Sequence, residues 1–196
     1  TLSNMTLAGA SALAIPAGTD VTSTGGLTLS GATLTLGSAP NGHSYLYFNG
    51  TQTLGGTGEI VLLEHPAYSR YLWLQGATTA LTIGPGVTVR GGDGVFNATT
   101  GQSFINQGTI RADVSTQLLT INRVQNAGLI DAINGGIANL TDTWSSSGTI
   151  SETNSTINLG GSFTLATFGT FVRSGGSVNV TGTFNLGGGT RAFDAA

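Results

Sequence analysis

At 196 residues the chain has the length of one domain, and 39% hydrophobic residues are enough for a core. Only 8% of residues are charged, against about 25% in an average soluble protein, with no lysine, no cysteine and a net charge of −3. Disulfides and thiolate metal sites are therefore excluded, no basic patch exists to neutralise phosphates, and no run of about 18 apolar residues could span a membrane as a helix. Disorder is also excluded, because Val, Ile, Leu and Phe are plentiful and regularly placed. With 32 glycines, 31 threonines, 17 serines and 13 asparagines, the composition describes a β-rich surface solvated by hydroxyls and amides.

Helical spacing is missing throughout, and the predicted elements are short strands with period-2 alternation bounded by glycine turns. In chain order they begin with Leu13-Ala14-Ile15, Leu27 to Leu36, Leu46 to Phe48, Ile60 to Leu62 and Leu72 to Leu74. Leu81-Thr82-Ile83 and Val87-Thr88-Val89 follow. From there a phrase recurs: Asn106-Gln107-Gly108-Thr109-Ile110, Asn126-Ala127-Gly128-Leu129-Ile130, Ser146-Ser147-Gly148-Thr149-Ile150. Gly169 and Gly189 continue the series of Gly108, Gly128 and Gly148 at a nearly constant interval. A period of about 20 residues is the signature of a solenoid.

Cut at this period, the bursts form three sets. One holds Ile110, Ile130, Ile150 and Phe171; a second holds Leu119/Ile121, Ala138/Leu140, Ile157/Leu159 and Val178/Val180. The third holds Phe104, Val124, Trp144, Phe163/Leu165 and Phe184/Leu186. Three short strands per coil of about 20 residues specify an all-β fold, a parallel β-helix with glycine at its corners. Right-handed winding is expected from the chirality of parallel crossovers. The whole chain, 1–196, reads as one β-solenoid domain of about nine or ten coils, spanning roughly 45 Å at ~4.8 Å per coil. It opens at Thr1 in mid-pattern, which reads as a segment of a longer repeat protein.

Stacking predicts a structural ladder in which Asn106 lies over Asn126 with Ser146 next, and Ile110, Ile130 and Ile150 lie over one another inside. Arg111 and Asp131 are also one repeat apart and are expected to pair on an exposed outer face.

Residues 37–75 break the period. The step from Leu46 to Leu72 exceeds one regular coil, and the segment holds both histidines, all four tyrosines, Trp73 and two of three glutamates. It reads as an irregular coil with enlarged corner loops, a usual place for binding. Alternation buries Leu46, Phe48, Leu72 and Leu74 and turns Tyr45, Tyr47, Tyr71 and Trp73 outward as candidate carbohydrate-stacking residues. Either these rings form an open platform, or the corner loop Glu64 to Arg70 folds back over them.

The segment Phe48-Asn49-Gly50-Thr51-Gln52-Thr53-Leu54-Gly55-Gly56-Thr57-Gly58-Glu59-Ile60, with the later Asn-x-Gly-Thr-Ile units, resembles the strand repeats of large bacterial surface and secreted β-solenoid proteins. Filamentous-haemagglutinin-type adhesins and autotransporter passengers are the families it is similar to. The likeness covers most of the chain as a style of repeat. It implies a right-handed parallel β-helix and an extracellular, cell-surface, bacterial location, and it carries over no catalytic residue.

The chemistry-bearing residues are sparse. Asp20, Asp93, Asp113, Asp131, Asp142 and Asp194 are scattered, and Glu59 and Glu64 sit at a spacing that directs them to opposite faces of a strand. Catalysis, metal binding by His43 and His65 with Glu64, and a calcium turn at Gly91-Gly92-Asp93-Gly94 are therefore not expected, and no cofactor is called for. The Thr-x-Thr pairs do not recur once per coil, so they build no ice-binding array. Six Asn-x-Thr triplets would be glycan acceptors in a eukaryotic secretory pathway, but the bacterial style of the repeats argues against that use.

The expected function is structural or adhesive: a stalk, surface fibre or matrix component without catalytic activity. The alternative is a carbohydrate-binding or carbohydrate-degrading β-helix. Expected partners are neighbouring repeats or identical copies stacked end to end, together with cell-surface or matrix polysaccharide. Thr1-Leu2-Ser3 and Thr190-Arg191-Ala192-Phe193 both read as strand, leaving two open ends.

Overall fold

A computed structural model describes residues 1–9, 12–38 and 41–193; Asp194 and the chain's last two residues lie outside that range. The strands are parallel, and within the stack most pair with their equivalents one coil before and one coil after, the terminal strands on one side only. The first face stacks the start of Asp20–Leu36, then Ser44–Asn49, Arg70–Gln75, Gly94–Asn97, Leu118–Asn122, Ile137–Thr141, Thr156–Leu159 and Ser177–Val180. That is eight rungs, fewer than the nine or ten expected, because coils in the first half are longer than those in the second. On this face the inward column runs Leu46, Leu72, Phe96, Ile121, Leu140 and Leu159, and the steps along the chain shorten after Ile121. The second face stacks the start of Gln52–Leu62, then Ala80–Ile83, Ser103–Asn106, Val124–Asn126 and Ser145–Ser146.

The third face confirms the repeat reading directly. Ile110 pairs with Ile130 and Ile130 with Ile150, all three fully buried, and Phe171 follows. Above them the column continues through Val89, Ile60, Leu34 and Leu13. Each such aliphatic side chain withdrawn from water contributes about 1.5–3 kcal/mol, and the inward columns together form one core.

In the first half, strands turn corners without ending. Asp20–Leu36 runs through all three faces and Gln52–Leu62 through the second and third, with a register shift between Ser30 and Ala32 against the latter strand. In the second half the corner after the second face is built by Gly108, Gly128 and Gly148. Their requirement is space and not positive φ: a Cβ on Gly128 would lie 2.2 Å from the Gly108 carbonyl oxygen, and one on Gly148 2.2 Å from that of Gly128. The coils pass this corner backbone on backbone.

Beside those glycines, the Asn106 amide donates to Asn126 Oδ1 (2.7 Å) and the Asn126 amide donates to Ser146 Oγ (3.0 Å). Both amides also donate to carbonyls in the next coil, of Leu129 and Thr149. The ladder stops at Asn106, since Ile83 occupies the preceding rung and Asn106 Oδ1 has no partner.

Three further expectations need correction. Asp131 is not exposed: it retains 4% of its accessible surface under the fork of Arg111, which approaches its oxygens at 2.8–3.1 Å. Leu165 and Leu186 are not core residues, because a short 3₁₀ turn spans Leu165–Thr167 and Leu186 is 37% exposed. Phe168, which follows that turn, is the fully buried residue there. Finally, 190–193 is not strand. It brings the Phe193 ring against Phe168, Phe171 and Phe184, with the Arg191 guanidinium over Phe168 and Arg173 bonded to the Phe193 carbonyl. Leu2–Ala8, at the other end, is strand as expected.

A candidate aromatic face

The site is assembled by alternation on two adjacent rungs. In Ser44–Asn49 and Arg70–Gln75 the leucines and Phe48 point inward at no more than 1% exposure, which turns the intervening aromatic residues out. Register then pairs Tyr45 with Tyr71 and Tyr47 with Trp73. All four rings are half-buried. Tyr45 lies 4.8 Å from Tyr71 at an interplanar angle of 10°, and 5.5 Å from Tyr47 at 3°. Parallel rings this close must overlap in an offset stack. The tyrosines therefore lean on one another and cover part of each other's faces. Trp73 is tilted 45–51° from all three and breaks the stack. Burial raises the Tyr45 and Tyr47 phenols above the usual tyrosine value, reinforced at Tyr45 by Tyr71 and at both by Asp20, so the hydroxyls stay protonated and can donate.

The corner loop reaches only the margin of these rings. Tyr68 packs edge-on against His43, and His43 sits 5.7–6.2 Å from Tyr71 and Tyr45. Among the described residues, neither Tyr68 nor His65 makes a ring contact with Tyr45, Tyr47, Tyr71 or Trp73. His43 Nδ1 accepts from the Ser69 amide and His65 Nδ1 from the Ala67 amide, so each imidazole orders the loop.

Sequence reasoning missed the residue that anchors this corner. Arg70 is 1% exposed, points inward, and donates to the carbonyls of Gly42 (2.9 Å) and Tyr68 (3.4 Å). Burial lowers its pKa, partly offset by the nearby Asp93 carboxylate. Gly37 makes the room: a Cβ there would collide with Arg70 Nε. The available signal was Arg70 at an inward position, two residues before Leu72.

The acidic residues are engaged elsewhere. Glu59 binds Arg90 at 2.7 Å, and that partnership holds its carboxyl below the ordinary range despite partial burial. Asp113 also meets Arg90, Asp131 meets Arg111, Asp142 meets Arg123 and Glu152 approaches Arg173. Glu64 is exposed in the loop. Asp93 accepts from the His65 amide and, with the Gln117 amide nitrogen turned toward it, from Gln117 as well. Among the described residues no group of three or more His, Asp or Glu is placed to hold a metal. His43 and His65 are linked through Tyr68, not by a shared ligand.

No protein-family model, curated protein or solved structure matches this chain. The site must speak for itself. Its surroundings are as informative as its rings. The two outward columns continue past them to Val95 and Asn97, and the column of Val95 runs on in register to Thr120. A trough of about 560 Å³ lies on the second face among Ser103, Gln125, Ser145 and Thr164. Arg123 at its rim is held by Asp142 at 2.8 Å.

Proposed function

We propose that this chain is a rigid, noncatalytic segment of an extracellular bacterial stalk, surface fibre or matrix component, adhering to polysaccharide through its first face. The observation that carries the reading is the set of four registered, half-exposed rings on a regular sheet. Phenol edges offer donors and acceptors to sugar hydroxyls, and the tilted Trp73 offers an apolar surface to a sugar ring. The noncatalytic part is supported by the use of the acids: Glu59, lowered by Arg90, is unsuited to serve as a general acid, which needs a raised pKa. The extracellular, surface-bound part rests on the resemblance of the repeats to those of bacterial adhesins. Along the axis, neighbouring repeats or stacked copies remain the proposed partners, supported by the exposure of Val180 and the half-exposure of Val178 in the outermost rung.

A glycan array followed by titration of the responding polysaccharides tests this. Binding is expected to fall at least tenfold in Tyr47→Ala and Trp73→Ala. Absence of binding to any glycan, or full binding in both variants, would remove the proposal.

A further inference from the structure

The first face differs from the third in its charge. Arg90, Arg111 and Arg173 lie on the third face, Arg123 at a corner, Arg70 inside and Arg191 over Phe168. On the first face the outward residues are aromatic, amide, hydroxyl or aliphatic, and among the described residues Asp20 supplies the one carboxylate. The face is also chemically ordered along the axis. Rings occupy the second and third rungs, and beyond Val95 the column becomes Thr120, Asn139, Asn158 and Asn179. The last two amides are bonded to each other at 2.9 Å, so the column is set at rung spacing.

From this order we infer that the first face holds a neutral, unbranched polysaccharide lengthwise, parallel to the solenoid axis, with one sugar unit for each rung. The inference rests on the carbohydrate reading of the aromatic rungs and extends it to substrate class and direction. Rungs repeat every ~4.8 Å, close to the advance of one pyranose ring in an extended, equatorially linked chain. A polymer laid along the columns therefore brings one unit beside an outward side chain at every rung, the partner changing from ring to amide along the axis. A chain laid across the strands would leave the face after two columns, since the sheet turns a corner on either side. Neutrality follows from charge complementarity: a uronate or sulfated chain would place a carboxylate or sulfate on each rung and meet no cation among the described residues of this face. The rings anchor one end, and the amides of Asn139 and Asn158 extend the contact, each adding little by itself. Together they multiply affinity as successive units of one ligand engage.

The test uses cello-oligosaccharides from disaccharide to octasaccharide, titrated by calorimetry against the whole chain, with oligogalacturonates as the charged control. Affinity is expected to rise with each added sugar, by at least tenfold from disaccharide to hexasaccharide, and the oligogalacturonates are expected not to bind. Asn139→Ala combined with Asn158→Ala should weaken the hexasaccharide and longer chains several-fold and leave the disaccharide unchanged. Tyr47→Ala should weaken every length. Length-independent binding that is lost in Trp73→Ala would overturn the lengthwise arrangement while leaving the carbohydrate reading intact. Preference for oligogalacturonates would overturn neutrality. Failure of every neutral and charged chain to bind would overturn the inference together with the reading beneath it.

Discussion

Replacing Asn126 by alanine tests the buried amide ladder, because Asn126 is its central member. The side chain accepts from Asn106 and donates to Ser146 Oγ and the Thr149 carbonyl. It is 2% exposed, so water does not replace the lost partners. At about 0.5–1.5 kcal/mol for each bond, Asn126→Ala should destabilise by about 3 kcal/mol. Asn106→Ala removes two donated bonds, but it also removes Oδ1, a buried acceptor without a partner. Relief of that group, about 1–3 kcal/mol, offsets most of the loss, and a net cost of no more than about 1 kcal/mol is expected. Urea unfolding followed by far-ultraviolet circular dichroism measures both, the comparison being valid where the denaturant slope is unchanged. Equal costs for the two variants, or a larger cost for Asn106→Ala, would refute the reasoning.

Gly128→Ala should cost about 2 kcal/mol or more, since its Cβ would meet backbone of the adjacent coil. Gly50→Ala, at φ +78° with open space around it, should cost about 1 kcal/mol; thermal midpoints of the two variants give the order, and a reversed order would be evidence against the close-approach argument. Glu59 has a folded pKa below its unfolded value, so its contribution is present above about pH 4.3 and is lost as pH falls through the lower folded value. The urea midpoint of the parent should accordingly drop more steeply than that of Glu59→Gln as pH falls below about 4.3; parallel curves would contradict the pairing. Arg70→Met should leave global stability nearly unchanged, because the buried guanidinium has an unpartnered Nε. It should also speed amide exchange at Ser69 and Gly42, and unaltered exchange there would mean that Arg70 does not tie the corner.

The second half of the fold was legible because its coils hold a constant length. Ile110, Ile130 and Ile150 fall at one spacing, and the pairing follows it. The first half gave strands but not their count, since the step from Ile60 to its partner Val89 is far longer than that spacing and no fixed period reaches it. Alternation placed Tyr45, Tyr47, Tyr71 and Trp73 correctly, because it depends only on neighbours in the strand. It could not reveal that the tyrosine rings cover one another, which depends on how Tyr45 meets Tyr71 in the adjacent rung as well as Tyr47 in its own. Asp131 escaped for the same reason, since its burial comes from Arg111 in the adjacent coil. Arg70 was hidden by its residue type, and Phe193 by ring contacts that no local pattern encodes.

Unequal coil lengths also give the molecule a mechanical bar code. Each rung is held mainly by its neighbours, so a chain stretched between its termini should yield one coil at a time. A coil from the first half, such as Leu46 to Leu72, releases about 90 Å of contour. A coil from the second half, such as Ile110 to Ile130, releases about 70 Å. The step lengths in a single-molecule force trace would therefore identify which end of the solenoid gives way first. One single long extension would show that the coils fail together.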